Sequence, residues 1–233
     1  MDRAGEFIQL YNRLSDHLVT LVDAESYLTY AQLLRRAAHS STAVAAYESD
    51  LRDYGDLRNA IIHYKNYPRE VLAEPTEPTL AAFRAIVDRV IAPKRLIPTF
   101  QQTVRLFALD DPLLDALRYM EEKDYSQVAV SRDHTLALLT VEGVTSWLRR
   151  QAQGNAGADL DGVSLRDVLA HDSPAHLVVM ARGATVYDAR HAFTHAIERK
   201  QPRIYAILVT QNGKPSEQPL GIVTPWDLLE ETQ

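Results

Sequence analysis

The sequence predicts an α+β protein in which an N-terminal helical bundle precedes two copies of a strand-and-helix unit. Apolar residues recur at helical spacing through residues 5–92, and short β-rich runs take over from about residue 96. Thr140 and Thr224, 84 positions apart, each end an apolar run and begin a helical one, which indicates an internal duplication.

The bundle is read from its stripes. Phe7, Leu10, Tyr11, Leu14 and Leu18 define the first helix, and Tyr30, Leu33, Leu34 and Ala37 the next. The pattern continues through Thr42 to Tyr54 and Asp56 to Tyr64, and resumes at Phe83, Ile86, Val87, Val90 and Ile91. Four or five helices are expected. Tyr67-Pro68 through Pro75-Thr76-Glu77-Pro78 reads as a proline-broken connection that starts the last helix. Pro93 to Pro98 reads as a boundary between a bundle over 1–93 and the duplicated region over 94–233.

The first unit, about 96–150, has Asp115 opening an amphipathic helix, a strand at Ser126–Val130, a turn at Ser131–His134 and a strand from Leu136 to Thr140. The second, about 164–232, has Asp188, Ile204 to Thr210, a turn at Gln211–Lys214, and Leu220 to Thr224. About eleven extra residues in the second copy fall where loops tolerate insertion. Asp110-Asp111 before Pro112 predicts a turn and helix cap. Trp147 and Trp226 follow the two joints and are expected to pack at a domain or dimer interface.

The second joint carries the chemistry. In Thr224-Pro225-Trp226-Asp227 a hydroxyl and a carboxylate stand three residues apart on one face of a helix start. Capping alone accounts for threonine, proline at the first helical position and an acid after it. A carboxylate there can equally accept hydrogen bonds from a sugar diol, with the helix terminus favouring an attached anion. The first copy has Gly143 at the acidic position and Ala137 where the second has Gly221.

The order of elements, with Ser-Gln-Val-Ala-Val in one copy and Gly-Ile-Val-Thr-Pro-Trp-Asp in the other, resembles a tandem pair of CBS domains over residues 96–232. The resemblance implies a disc of two sheet-packed units with clefts for an adenosine nucleotide such as AMP, ADP or ATP. It assigns Asp227 to the ribose hydroxyls, Thr224 to the ribose or phosphate, and Val178, Val179, Tyr205 and Ala206 to the adenine. With Gly143 in the first copy, one competent site is expected. Arg182 and Arg203 are candidates for a phosphate or for a solvated surface. The implied role is regulatory, with nucleotide occupancy acting on the bundle of a homodimer.

Within the bundle, Arg58-Asn59 followed by His63 resembles the motif of HEPN helical domains, many of them metal-independent endoribonucleases. The resemblance implies that Arg58 holds a scissile phosphate, Asn59 assists and His63 is general acid or base, with RNA as substrate. Guanidinium and imidazole suit those tasks. Five residues of helix turn the two groups about 140° apart, and a composite site across a two-fold dimer would resolve that. Alternatively, Arg58 pairs with Asp56 or Asp53 and His63 packs at a helix end. Whether the protein is an enzyme stays open between these readings.

Composition narrows the remaining classes. The 233 residues contain no cysteine, which excludes disulfides, thiolate metal sites and cysteine nucleophiles. No run of about 18 apolar residues occurs, and Met1–Glu6 lacks a basic leader, so a cytoplasmic protein with no membrane span and no cleaved signal is expected. Residues 1–95 carry a net charge of -1 and the remainder -5, without the basic excess that long nucleic acid demands. His191 and His195 have a metal-ligand spacing but no evident third ligand, so no required cofactor or metal is expected.

Overall fold

The computed structural model describes residues 2–23, 28–62, 73–153, 160–170, 176–199 and 203–230. The architecture is α+β in two compact units, Met1–Lys94 and Arg95–Gln233.

In the first unit, α1 (Arg3–Leu21), α2 (Tyr30–Ser40), α3 (Thr42–Ala46), α4 (Glu48–Ile62) and α5 (Glu77–Ile91) form the bundle. The starts of α1, α2, α3 and α5 are capped by side chains: Asp2 accepts from the Gly5 amide at 2.5 Å, and Thr29 with Gln32 closes a capping box. Ser41 and Thr76 cap α3 and α5. The predicted stripes converge on one core, where Phe7, Leu14, Leu18, Leu51, Phe83 and Val87 are fully buried. Phe83 lies 4.7 Å from Phe7 and 4.4 Å from Tyr54, ring centre to centre. The proline-broken connection falls partly on residues 63–72, outside the described residues.

Gly55 is a weak helix former in the middle of α4, and packing accounts for it. A methyl there would stand 2.7 Å from the Tyr30 ring. Tyr30 donates its hydroxyl to the Leu51 carbonyl at 3.1 Å and meets the Tyr11 ring at 4.8 Å. Burial pushes the Tyr11 phenol up to about 12. A raised folded pKa stabilises the fold fully below the unfolded phenol value of about 10 and loses that contribution as pH rises from there to about 12. Unfolding of the bundle followed by helical circular dichroism should therefore show falling stability over that window. Tyr11→Phe should lessen the fall; an identical pH profile would contradict burial as its cause.

The second unit contains α6 (Leu96–Thr99), β1 (Leu106–Ala108), α7 (Leu113–Lys123), β2 (Gln127–Arg132), β3 (Thr135–Thr140), α8 (Val141–Gln153) and α9 (Leu165–Leu169). It continues with β4 (Leu177–Ala181), α10 (Val186–Glu198), β5 (Ala206–Thr210), β6 (Gly221–Val223) and α11 (Pro225–Glu230). Two three-stranded sheets result, ordered β1-β2-β3 and β4-β5-β6. In each, the first pair is parallel and the second antiparallel, with a helix between the parallel strands and another after the last. The duplication is therefore one of topology and register: Ala129 pairs with Leu106 as Leu208 pairs with Val179.

Each sheet buries one face under its helices. Phe107, Val128, Val130 and Leu139 do so in the first repeat, and Ile207, Val209 and Val223 in the second. Residues one position along, Ala129, Leu138 and Leu208, are buried as well, on the opposite faces that period-2 alternation requires. Residues of both repeats, Leu138 with Val179 and Ala129 with Ile222, share the clefts along those faces. The two sheets thus face each other.

The leader segments are exchanged. Leu96 and Ile97, ahead of the first repeat, complete the core of the second sheet. Leu165, Val168 and Leu169, ahead of the second repeat, complete the core of the first. Backbone pairing matches on the two sides: Arg95 bridges Thr185 while Ser164 bridges Pro112. The Leu96 amide donates to the Ala184 carbonyl at 2.8 Å, and the Leu165 amide donates to the Asp111 carbonyl at 3.0 Å.

Several expectations are corrected by this arrangement. The turn at Ser131–His134 shrinks to Asp133 and His134, both at positive φ, because β2 extends to Arg132 in a two-residue hairpin. The strand expected from Ile204 begins at Ala206. Asp110 and Asp111 do not cap α7. Asp111 accepts from the Ala108 amide at 2.8 Å, and Asp110 binds Arg166 of the exchanged leader at 2.9 Å. Trp147 is buried in the first core rather than at an interface, while the 76% exposure of Trp226 in a single chain is compatible with its expected place at a dimer interface.

Gly221 is dictated by the exchange. A Cβ there would lie 2.2 Å from the Phe100 carbonyl oxygen, where the leader passes over β6. Gly221→Ala should cost about 1–3 kcal/mol through overpacking, measured by urea unfolding of the second unit. Stability equal to that of the unaltered protein would contradict the close approach.

Candidate functional site

The end of β6 delivers Thr224 to the start of α11. The Thr224 amide and hydroxyl both donate to Asp227 Oδ2, at 2.6 and 2.7 Å. The same arrangement recurs at Thr185 with Asp188 and at Ser164 with Asp167, so the pair is a helix-start device that this chain uses repeatedly. Those bonds hold the Asp167 carboxyl below its ordinary range. Asp227 is half-buried, and among the described residues its Oδ1 accepts no hydrogen bond. The cap therefore fixes the carboxylate and leaves one oxygen for a ligand. At the first joint the Gly143 amide donates to Thr140 Oγ1 at 2.9 Å, and no carboxylate is supplied by position 143.

The residues expected around an adenine are distributed over both faces of the second sheet. Val178 packs in the helix-side core, while Val179 lines a cleft on the other face; adjacent residues of one strand cannot share a pocket. Ala206 is fully buried and pairs with Leu177. Tyr205 donates its hydroxyl to Glu142 at the start of α8, so it belongs beside the first joint rather than beside Asp227. The Glu142 bond raises the Tyr205 pKa, helped by burial. Arg203 lies over the Tyr205 ring at 5.4 Å, and Arg182 donates to Gln211 at 3.3 Å.

Among the described residues, two clefts lie between the repeats. One encloses about 630 Å³ between β3 and β4 and includes Leu138, Leu177, Val179 and Arg132. The other, about 40 Å³, is bounded by Gln102, Arg105, Tyr125, Gln127 and Ile222. Gln102 ties it to β6 by donating its side-chain amide to the Ile222 carbonyl at 3.2 Å. Arg105 is held over Phe107 and Tyr119 at 4.4 and 4.7 Å. Neither Thr224 nor Asp227 is in the wall of either cleft. Arg105, Gln102 and Arg132 carry no local sequence signal, because only pairing between repeats brings them to a cleft.

In the first unit, Arg58 lies 5.4 Å from the Tyr11 ring centre and donates to Asn59 at 3.3 Å. Its Nε is buried without a hydrogen-bond partner, and no ion pair forms with Asp53 or Asp56. His63 lies outside the described residues. The His191 and His195 rings are 5.3 Å apart, and no group of three or more metal-ligating residues occurs among the described residues. No helix among them is long and apolar enough to cross a membrane.

No protein-family model and no curated protein matches the chain. Among solved structures, a CBS domain-containing protein from Kribbella flavida DSM 17836 is 17% identical, covering 60% of this chain and 98% of its own, with a TM-score of 0.43. A hexameric CBS-CP12 protein from bloom-forming cyanobacteria is 17% identical over 60% of this chain and 73% of its own, with a TM-score of 0.44. CBSX2, solved in complex with AMP, is 18% identical over 60% of this chain and 96% of its own, with a TM-score of 0.42. Likenesses of this size carry no argument about ligand or activity.

Removing the carboxylate in Glu142→Ala should lower the pH at which Tyr205 ionises, read as the difference between phenol titrations with and without Tyr205→Phe. The linked stability is present below about 10 and lost as pH rises above it. An unchanged titration would show that the bond between the repeats is absent in solution.

Proposed function

We propose that Arg95–Gln233 is a tandem CBS pair that binds one adenosine nucleotide and that the protein is a regulatory sensor. The observation that carries this reading is the asymmetry of an otherwise matched duplication: the second joint presents a cap-fixed carboxylate, and the first has glycine. In this reading Asp227 Oδ1 accepts from the ribose hydroxyls and Thr224 lies beside the sugar or phosphate. Ala206, fully buried, remains the candidate beside the base through its backbone, while Val179 belongs to the wall of the separate larger cleft. Tyr205 acts from the first joint, and Val178 supports the strand from the core.

We further propose that occupancy acts on the helical bundle and that the protein works as a homodimer. The ribonuclease reading has less behind it, since the stacking of Arg58 on Tyr11 supports a packing role in the bundle.

Calorimetric titration of the full chain with AMP, ADP, ATP and S-adenosylmethionine should show one site per chain. Asp227→Asn keeps an acceptor for the cap and removes the charge; losing a charge-assisted bond of about 1.5–3 kcal/mol should weaken binding at least tenfold. Nucleotide at 100 times its dissociation constant should stabilise the fold by about 2.7 kcal/mol. Equal affinity in Asp227→Asn would reject the site, and no binding by any of the four would reject the function.

A further inference from the structure

The larger cleft has a chemistry of its own. Its volume, about 630 Å³, falls in the range of small-molecule sites, and Leu136, Leu138, Leu169, Leu177 and Val179 make it mainly apolar. Its rim is formed by two hairpins, with Arg132 and Thr135 on one side and Gly213 and Pro215 on the other.

The rim's polar groups are largely engaged. The Leu136 amide donates to the Pro215 carbonyl at 2.7 Å, which ties the hairpins together. Thr135 donates its hydroxyl to the Arg132 carbonyl at 2.7 Å. The guanidinium of Arg132 is the exception: among the described residues it forms no ion pair and no side-chain hydrogen bond. Of the acids nearby in sequence, Asp133 is the first residue of the turn, and Glu217 is engaged by the Asn212 amide and side chain at 2.7 and 2.6 Å. Lys214 on the second hairpin adds another positive charge. An apolar pocket with an uncommitted cation at its mouth matches an amphipathic anion, which buries its tail and brings a carboxylate to the guanidinium.

We propose that this cleft binds a small apolar carboxylate, with the tail among Leu138, Leu177 and Val179 and the carboxylate on Arg132. Among the described residues no acid lines it to receive a sugar diol, so this ligand differs in class from the nucleotide assigned to Asp227. The proposal stands whether or not the nucleotide reading does.

The probe is decanoate, titrated calorimetrically against the full chain, with decanol as the uncharged match. Decanoate should bind at least tenfold more tightly than decanol, and Arg132→Gln should remove that preference while leaving decanol unchanged. Val179→Phe, which fills the cleft with an apolar group, should weaken both, and Asp227→Asn should weaken neither. Equal binding of acid and alcohol, indifference to Arg132→Gln, or no effect of Val179→Phe would overturn the proposal. Displacement of decanoate by AMP in Asp227→Asn would also overturn it, by making the cleft a nucleotide site.

Discussion

The exchange of leader segments is the constraint on which the second unit depends. A three-stranded sheet with two helices buries too little apolar surface to be secure alone. Here each repeat borrows the missing wall from the other: Leu96 and Ile97 close the second core, and Leu165, Val168 and Leu169 close the first. Because the loan is reciprocal, neither repeat has a complete interior without its partner's leader. The clefts are a by-product of this interlock, formed where two sheets held face to face diverge. Gly221 belongs to the same constraint, since the leader's backbone crosses β6 where no side chain fits. The first repeat carries Ala137 at the matching position.

The two joints show how a stabilising device can also become a site. Thr224 and Asp227 form the same capping box as Thr185 with Asp188 and Ser164 with Asp167. Capping engages only Oδ2, so the arrangement that starts the helix also holds a second oxygen at a fixed angle. The first joint has glycine in place of the acid and instead links the repeats, because Glu142 accepts from Tyr205. The two joints thus differ in use: one holds a carboxylate oxygen that the cap does not engage, and the other bonds the repeats together.

What was legible in the sequence follows from the range of the interactions. Helical stripes such as Phe7-Leu10-Leu14-Leu18 and the strand-to-helix joints are local patterns, and they mark the α+β organisation directly. The capping chemistry of Thr224 and Asp227 is also local. The parallel strands β1 and β4 gave little signal, being short and paired across a helix, and the exchanged leaders gave none. The assignment of Val178 and Val179 to one pocket failed at strand periodicity, which sends them to opposite faces. Tyr205 bonds Glu142 at the first joint, 63 residues away, a partner that no local pattern marks. Arg132 carries no local signal, because an arginine at a strand end acquires meaning only when a second hairpin is brought beside it.

Native-state hydrogen exchange on the full chain carrying Leu96→Ala tests the interlock most directly. Leu96 precedes the first repeat in sequence but is buried in the core of the second, and its truncation should cost about 2–5 kcal/mol. Reciprocal exchange requires the amides of Ile207 and Val209 on β5 to lose protection, with those of Val128 and Val130 on β2 falling alongside them. If β2 alone were affected and β5 kept its protection, each repeat would be closing its own core and the exchange would be refuted.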